Sequence, residues 1–162
     1  MSRVLVTGGA GFMGSQLVRT LGASGHDVVV YDKLTYAGNR AFLDGVQHTF
    51  IEGDVCDAGS VAAALDGVDA IVHMAAESHV ARSLTGPDVF LHTNVMGTRV
   101  MLDQACRAGI DRFIHISTDE VFGQAPHGVA FGPDAPMRPG NAYAASKVGA
   151  EGLVHAWRHT HG

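Results

Sequence analysis

The sequence has little cysteine and no long apolar run. Its two cysteines, Cys56 and Cys106, do not form a CxxC pair, and such sparse thiols are typical of proteins from a reducing compartment. We expect both thiols to be reduced and mostly buried. No apolar segment approaches the ~20 residues of a membrane helix, and the first residues lack the apolar core of a signal peptide. These absences predict a soluble cytoplasmic protein without membrane partners.

Basic residues are also scarce. The chain of 162 residues has 11 Lys or Arg against 16 Asp or Glu, a formal net charge of -5. Without a run of Lys and Arg, we expect no nucleic-acid partner. The 10 histidines form no HExxH or comparable ligand set, so we expect no metal site. Apolar residues make up 46% of the chain, enough for the core of one domain over residues 1–162.

The apolar residues recur with two alternating periods. Short β-branched runs predict strands buried on both faces, at residues 3–7, 27–31, 48–51, 69–73 and 112–116. Helical spacing predicts helices at residues 12–24, 58–66, 87–108 and 141–160, the last of them capped by Asn141. This alternation favours an α/β fold with a Rossmann-like doubly wound parallel sheet. Four of the five prolines lie in residues 123–140, which predicts a long surface loop.

Glycines join the first predicted strand to the first predicted helix. Gly8, Gly11 and Gly14 fit the pattern T-G-x-x-G-x-x-G, in which backbone N–H groups and the helix end approach a pyrophosphate. A tight turn that needs glycine only for its dihedral angles is the alternative. Asp32, at the end of the second strand, supports the first interpretation, because a carboxylate there binds the ribose of NAD and repels the 2′-phosphate of NADP. Asp54 either meets the adenine amino group or caps a turn.

Tyr143 and Lys147 are four residues apart and share one face of the last predicted helix. A phenol with a pKa near ~10 is a poor base at neutral pH unless a cation stabilises the phenolate. Lys147 supplies such a cation, so Tyr143 is a candidate base for removing a hydroxyl proton while hydride leaves for a nicotinamide. An ordinary amphipathic helix with a solvated lysine is the alternative. The glycine loop favours the redox interpretation.

Two neighbouring carboxylates, Asp119 and Glu120, follow the last predicted strand. Ligands of a parallel sheet bind at the carboxyl ends of its strands. Adjacent carboxyl groups resist simultaneous ionisation, so one can serve as an acid and the other as a base. Taken alone, these residues favour a solvated exit from the strand with a local cap.

The glycine loop, Asp32 and the pair of Tyr143 and Lys147 resemble the extended short-chain dehydrogenase/reductase family. Four segments carry a narrower resemblance, to the dTDP-glucose 4,6-dehydratases of that family. They read YDKLTYAGN at 31–39, HMAAESHVARS at 73–83, HISTDEVFG at 115–123 and NAYAASK at 141–147. Related epimerases usually lack the Asp-Glu pair. The chain departs from the usual Asp, Tyr and Pro at Ala81, Phe122 and Ala142, none of which removes a catalytic group. Such enzymes normally continue for about as long again into a smaller substrate-binding domain, so we expect this chain to be the cofactor-binding half.

The resemblance implies NAD-dependent dehydration of a nucleotide-activated hexose, dTDP-glucose, to the 4-keto-6-deoxy sugar. Tyr143 would deprotonate the C4 hydroxyl, Glu120 would remove the C5 hydrogen, and Asp119 would protonate the departing C6 hydroxyl. Thr118 and Ser78 would contact the substrate. The alternatives are a 4-epimerase or decarboxylase of the same family, or a catalytically silent NAD-binding module.

The resemblance also implies a set of NAD contacts and a homodimer. The dimer would form through the helices at 87–108 and 141–160. The residues implied for the cofactor are Gly8, Gly11, Phe12, Met13, Gly14, Asp32, Lys33, Leu34, Thr35, Asp54, Val55, Met74, Ala75, Ala76, Ser78, Thr93, Tyr143 and Lys147.

Overall fold

Five parallel strands form the centre of the structure, a computed structural model that describes residues 1–162. The strands are β1 (Arg3–Thr7), β2 (Asp27–Asp32), β3 (Thr49–Glu52), β4 (Ala70–His73) and β5 (Arg112–His115). Their order in the sheet is β3-β2-β1-β4-β5, and every neighbouring pair is parallel. The order reverses beside β1, which opens a crevice at the carboxyl ends of β1 and β4. The predicted doubly wound parallel sheet is confirmed.

Five helices accompany the sheet. They are α1 (Phe12–Ala23), α2 (Ala58–Ala64), α3 (Val80–Ser83), α4 and α5 (Ala142–His161), and α4 runs without a break through Asp88–Phe90, a π-helical segment Leu91–Met96, and Gly97–Ala108. Two 3-10 turns lie at Arg40–Leu43 and Asp119–Phe122. None of these helices has the length and apolar character that crossing a bilayer requires. Residues 123–140 contain no helix or strand, as predicted.

Two apolar clusters cover the two faces of the sheet. Successive strand side chains point to opposite faces, so Leu5 of β1 packs with Val61 of α2 and Met101 of α4, while Val6 packs with Val18 of α1. All five side chains are buried. Burial on both faces explains why β1 and β2 are continuous apolar runs rather than alternating ones.

The two strands at the sheet's edges differ from expectation. Residues of β3 and β5 are exposed or half-buried, and Ile114 in β5 keeps 47% of its surface exposed. The prediction that all five strands are buried on both faces is wrong for these two, because an edge strand has a neighbour on one side only. Both cysteines are free, but Cys106 is exposed on α4 and Cys56 is half-buried, so the prediction that both are mostly buried is wrong for Cys106.

Candidate functional site

A cleft of about 470 Å³ opens at the carboxyl ends of the central strands. It is lined by the glycine loop, by the segments that follow β2, β3 and β4, and by one face of α5. The predicted residues that line it are Gly8, Gly11, Phe12, Met13, Gly14, Asp32, Lys33, Thr35, Asp54, Val55, Met74, Ala75, Ala76, Ser78, Tyr143 and Lys147. Tyr31, Ala37, Gly38, Gly53, Ile116 and Ser117 also line it and were not predicted. A larger groove of about 700 Å³ lies at the opposite ends of the strands and contains none of the predicted site residues.

Two of the cofactor predictions lie outside the lining of this cleft. Leu34 is half-buried and packs against the apolar cluster on the α1 face of the sheet. Thr93 is half-buried within the π-helical segment of α4. Any contact of Leu34 with a cofactor would therefore come from its backbone.

Gly8 and Gly14 of the glycine loop are packed too closely to hold a side chain. A Cβ on Gly14 would lie 2.1 Å from the Gly8 carbonyl oxygen, and one on Gly8 would lie 2.8 Å from the Ala75 backbone nitrogen. Gly8 also has a φ of +69°, which favours glycine. Gly11 precedes α1 and makes no side-chain cap, so the first N–H groups of the helix are free for an anion in the cleft. The geometry of the loop is thus compatible with both interpretations of the motif, a tight turn and a phosphate-binding loop.

Asp32 is buried and is held by two backbone groups. Its Oδ2 accepts a hydrogen bond from Ala10 N at 2.9 Å, and its Oδ1 accepts one from Leu34 N at 2.8 Å. The second bond supports Leu34 in a left-handed conformation with φ of +54°, which is uncommon outside glycine. Each carboxylate oxygen has a further lone pair for a ribose hydroxyl.

Asp54 caps a turn, as one of its two interpretations predicted. Its Oδ1 accepts a hydrogen bond from Cys56 N at 2.9 Å, and its Oδ2 lies 2.6 Å from Lys33 Nζ. Burial raises the pKa of Asp54, but the bonds from Lys33 and Cys56 outweigh burial, so the pKa lies below its ordinary value. Contact with an adenine amino group stays a prediction.

Lys147 is buried at the inner end of the cleft. Its Nζ donates a hydrogen bond to Ile116 O at 2.5 Å and lies 3.3 Å from His115 Nε2. Burial lowers the pKa of Lys147 to about 8, while the Glu151 carboxylate acts in the opposite direction. The side chain is therefore mostly an ammonium at neutral pH, and the alternative of a solvated lysine is wrong.

Tyr143 lies one turn before Lys147 and also lines the cleft. Asn141 caps α5 as predicted, because its Oδ1 accepts a hydrogen bond from Ala144 N at 2.8 Å. The tyrosine ring packs edge-on against Phe90 with the ring centres 6.4 Å apart. The cap and this packing fix the start of the helix, and with it the place of Tyr143.

The predicted acid pair lies in the 3-10 turn after β5. Thr118 caps the turn, with its Oγ1 accepting from Glu120 N at 3.3 Å. Asp119 is exposed, whereas Glu120 is half-buried and its Oε2 accepts a hydrogen bond from Asn141 Nδ2 at 2.9 Å. None of Thr118, Asp119 and Glu120 lines the cleft itself. The structure thus contains the local cap that these residues alone favour, and it ties Glu120 to the residue two positions before Tyr143.

A buried polar chain, not predicted from the sequence, supports the loop after β4. Thr98 Oγ1 donates its single hydrogen to Asn94 O at 2.6 Å, so at 3.1 Å it must accept from His73 Nε2. Thr7 Oγ1 accepts from the backbone N–H groups of residues 74–75 at 3.1 Å each, so it donates its own hydrogen to His73 Nδ1 at 2.8 Å. With Nε2 donating and Nδ1 accepting, His73 is the neutral imidazole. The only sequence signal is a histidine that closes an apolar strand.

Asn94 connects the same loop to the helix of Tyr143. Its side chain exchanges hydrogen bonds with both backbone groups of Glu77, at 2.8 and 2.9 Å, and donates to Ser146 Oγ at 2.9 Å. Ser146 Oγ donates to Tyr143 O at 2.6 Å. Asn94 lies in the π-helical segment and is almost fully buried. These bonds hold the two sides of the cleft in a fixed relation.

No group of three or more His, Cys, Asp or Glu side chains lies close enough together to hold a metal ion.

The chain is similar in sequence to known proteins over nearly its whole length. Residues 4–162 match the NAD dependent epimerase/dehydratase family. The dTDP-glucose 4,6-dehydratase of Streptomyces niveus is 47% identical over 170 residues, which cover 99% of this chain and 50% of that protein. The chain spans about half the length of the curated relatives it matches.

Solved structures of a dehydratase and of an epimerase share this fold. The crystal structure of DesIV, a dTDP-glucose 4,6-dehydratase from Streptomyces venezuelae with NAD and TYD bound, superposes with a TM-score of 0.93 at 49% identity, covering 98% of this chain and 52% of that chain. A UDP-glucose 4-epimerase from Brucella ovis in complex with NAD superposes with a TM-score of 0.92 at 29% identity, covering 99% of this chain and 49% of that chain. The fold alone therefore does not separate the two activities.

Proposed function

Because the chain belongs to the NAD-dependent epimerase/dehydratase family, we propose that it binds NAD and supplies the reacting groups for dehydration of a nucleotide-activated hexose. The substrate is dTDP-glucose, and the product is the 4-keto-6-deoxy sugar. One observation carries the proposal: a single cleft joins the glycine loop, Asp32, Tyr143 and Lys147. The 47% identity to a dTDP-glucose 4,6-dehydratase supports the choice of reaction.

Two features of the cleft support a dinucleotide. Gly8 and Gly14 leave no space for a Cβ, and the N-terminus of α1 has no side-chain cap, so its N–H groups would be free to bind a pyrophosphate. Asp32 would accept hydrogen bonds from the adenosine ribose and would repel the extra phosphate of NADP. Bound NAD would supply a hydride acceptor for C4 and return the same hydride to C6.

Tyr143 and Lys147 would act in the oxidation. The Tyr143 phenolate would take the proton of the C4 hydroxyl as that carbon is oxidised, and Thr118 would donate a hydrogen bond to the C4 oxygen. The Lys147 ammonium would stabilise the phenolate and hold the nicotinamide ribose. Its buried position on the same face of α5 supports both roles.

Asp119 and Glu120 would divide the elimination between them. The C4 carbonyl acidifies the C5 hydrogen, which Glu120 would remove, while Asp119 would protonate the C6 hydroxyl that leaves as water. Glu120 would return its proton to C5 when the hydride adds at C6, which gives the 4-keto-6-deoxy sugar. The hydrogen bond from Asn141 orients the Glu120 carboxylate at the start of α5. Asp119 is exposed and adjoins Glu120 in the same 3-10 turn.

The rival activity of 4-epimerisation needs no such acid pair. Epimerisation at C4 requires only removal and return of one hydride, for which Tyr143 and Lys147 suffice. Asp119 and Glu120 therefore favour dehydration.

Incubation of the protein with NAD and dTDP-glucose tests the proposal. We expect the alkali-induced absorbance of a 4-keto-6-deoxy sugar. Glu120→Gln should stop water loss but not the first hydride transfer, so NADH should accumulate, while Glu52→Gln, which changes an exposed glutamate away from the cleft, should behave as wild type. A C4-epimeric sugar would identify an epimerase instead. NAD binding without any product would identify a silent module.

A homodimer through residues 87–108 and 141–160 is a further part of the proposal. Val89, Leu91 and Met96 of α4 are apolar and between 41% and 48% exposed, and exposed apolar side chains on a helix suit a partner helix. Light scattering of the protein in solution measures its mass, and a monomer would contradict the proposal.

A further inference from the structure

His115 ends β5 and lies beside the Lys147 ammonium. Its Nε2 is 3.3 Å from Lys147 Nζ, while its Nδ1 is buried without a hydrogen-bond partner. The reaction described above gives this histidine no role. Its two nitrogens nevertheless stand in an unusual arrangement, since one faces a cation and the other faces no polar group.

The charge of Lys147 decides which nitrogen of His115 carries the proton. An ammonium group has three N–H donors and no acceptor. One of these donors bonds the Ile116 carbonyl, and a second is directed at His115 Nε2, which must then present a lone pair. The ring proton is therefore on Nδ1. A neutral lysine amine can accept a hydrogen bond, so loss of the Lys147 proton would favour the opposite tautomer, with the hydrogen on Nε2.

We propose that His115 is a positioning residue for Lys147. As the neutral Nδ1–H tautomer it accepts a hydrogen bond from the ammonium. Together with the Ile116 carbonyl it fixes two of the three N–H donors, which leaves the third for the cleft beside Tyr143. The hydrogen bond stands by itself, whereas its consequence for catalysis rests on the proposed function.

The charges around the pair keep it in this state over a defined pH range. Burial, aided by the Lys147 charge, lowers the pKa of His115 to about 4. Burial lowers the pKa of Lys147 to about 8, and the Glu151 carboxylate, which accepts a hydrogen bond from the Ser117 hydroxyl, opposes that change. His73, with its ring centre 5.4 Å from that of His115, is held neutral by burial. Between pH 4 and 8 the pair is thus a neutral imidazole and an ammonium.

Two features of the sequence make the proposal directly measurable. The chain has only two lysines, Lys33 and Lys147, so a protein labelled with ¹³C at lysine Cε gives two signals, and Lys33→Arg identifies them. The ring nitrogens of His115 are identified in ¹⁵N spectra by the signals that His115→Gln removes. Neither measurement needs a substrate.

We expect the His115 ring to be the Nδ1–H tautomer at pH 6 and to gain Nε2–H character as the Lys147 signal titrates. In His115→Leu the Lys147 midpoint should fall by roughly one pH unit, because a buried ammonium loses an acceptor. In His115→Gln, whose amide oxygen is a replacement acceptor, it should stay within a few tenths of a unit. The proposal would be overturned if the His115 tautomer did not change as Lys147 titrates. Equal Lys147 midpoints in His115→Leu and His115→Gln would also overturn it. If the leucine variant does not fold, the wild-type tautomer decides.

Kinetics separate this proposal from the proposed function. In dehydration of dTDP-glucose, His115→Leu should lower kcat about tenfold with little change in KM, and His115→Gln should recover most of the loss. Coupled titrations without any dehydration would refute the proposed function and leave the role of His115 intact. Dehydration by a protein in which the His115 tautomer and the Lys147 titration are independent would support the proposed function and refute the role of His115.

Discussion

Two regions at the carboxyl edge of the sheet, the cofactor rim and the acid rim, are built differently. The cofactor rim, formed by residues 8–14 and Asp32, is held by backbone packing, by glycines with no space for a Cβ, and by two backbone N–H groups on one buried carboxylate. The acid rim, formed by residues 118–120, is a short 3-10 turn, in which one side chain is exposed and another has a single hydrogen bond from Asn141.

This difference separates what the backbone determines from what side-chain identity determines. A dinucleotide presents the same phosphates and riboses to every enzyme that uses it, so a rigid backbone cradle suits it. The reaction at the sugar differs between dehydratases and epimerases. In a short turn, the identity of two or three side chains can determine which reaction occurs. The 0.93 and 0.92 TM-scores to the two kinds of enzyme agree with a shared scaffold.

The largest effect should come from adding one methyl group to the cofactor rim. In Gly14→Ala the new Cβ would lie 2.1 Å from the Gly8 carbonyl oxygen, and backbone cannot yield as a flexible side chain does. We expect a loss of about 3 kcal/mol or more in the free energy of unfolding and no measurable NAD binding. Urea denaturation and calorimetric titration with NAD measure the two effects. Gly132→Ala, in open space in the 123–140 loop, is the matched control, and equal behaviour of the two variants would contradict a backbone-built rim.

The second effect should come from two buried histidines that belong to neither rim. Burial lowers the pKa of His73 well below its usual value and that of His115 to about 4. The unfolded chain therefore binds more protons than the folded protein below the ordinary pKa of 6.5, so the free energy of unfolding falls as the pH drops from there towards 4. Between pH 7 and 5 His115 alone should contribute a loss on the order of 2 kcal/mol.

Urea denaturation at both pH values measures this loss, and His115→Gln should remove the part that belongs to His115. The part of the cleft assigned to NAD is lined by no histidine. NAD affinity should consequently change little over the same range while the protein stays folded. An equal free energy of unfolding at pH 5 and 7 in the wild type would contradict this prediction, because it would show that His73 and His115 take up protons freely in the folded state.

A third and smaller effect concerns Asn141, which both caps α5 and holds Glu120. Asn141→Ala should cost about 1 kcal/mol through the lost cap. Asn141→Asp keeps a capping oxygen but loses the N–H donor to Glu120 and places a like charge beside it. The kcat of dehydration should then fall about tenfold in the aspartate variant, with little change in the free energy of unfolding. Equal kcat values for wild type and Asn141→Asp would show that the hydrogen bond to Glu120 plays no part in the reaction.

The sequence predicts the scaffold much better than the contacts within it. The periods of β1, α1 and β2 depend on which face of an element is buried, so local spacing is enough to place them. The same local spacing says nothing about partners far along the chain. Thr7 meets His73 across 66 positions and Lys147 meets Ile116 across 31, because neighbouring strands and α5 converge there.

Two site residues show the same limit at short range. Asp32 was expected to receive a ribose, but its backbone partners, Ala10 and Leu34, become visible only when the loop around β2 is folded. Thr118 was assigned to the substrate, yet it also caps the turn that carries the acid pair. Residue type and position therefore predict a candidate, whereas the partner that fixes each side chain depends on tertiary contacts.

The smallest effect should come from the ion pair beside the cofactor rim. Lys33 Nζ lies 2.6 Å from Asp54 Oδ2, but the Lys33 side chain is 58% exposed, and exposed pairs contribute less than ~1 kcal/mol. Asp54 also keeps its bond from Cys56 N, so Lys33→Met should change the free energy of unfolding by no more than about 0.5 kcal/mol. Arg107→Met, which breaks an exposed pair with Asp103 on α4, is the matched control in urea denaturation. If Lys33→Met cost well over 1 kcal/mol and Arg107→Met did not, the cofactor rim would depend on a side-chain pair, and the contrast between the rims would fail.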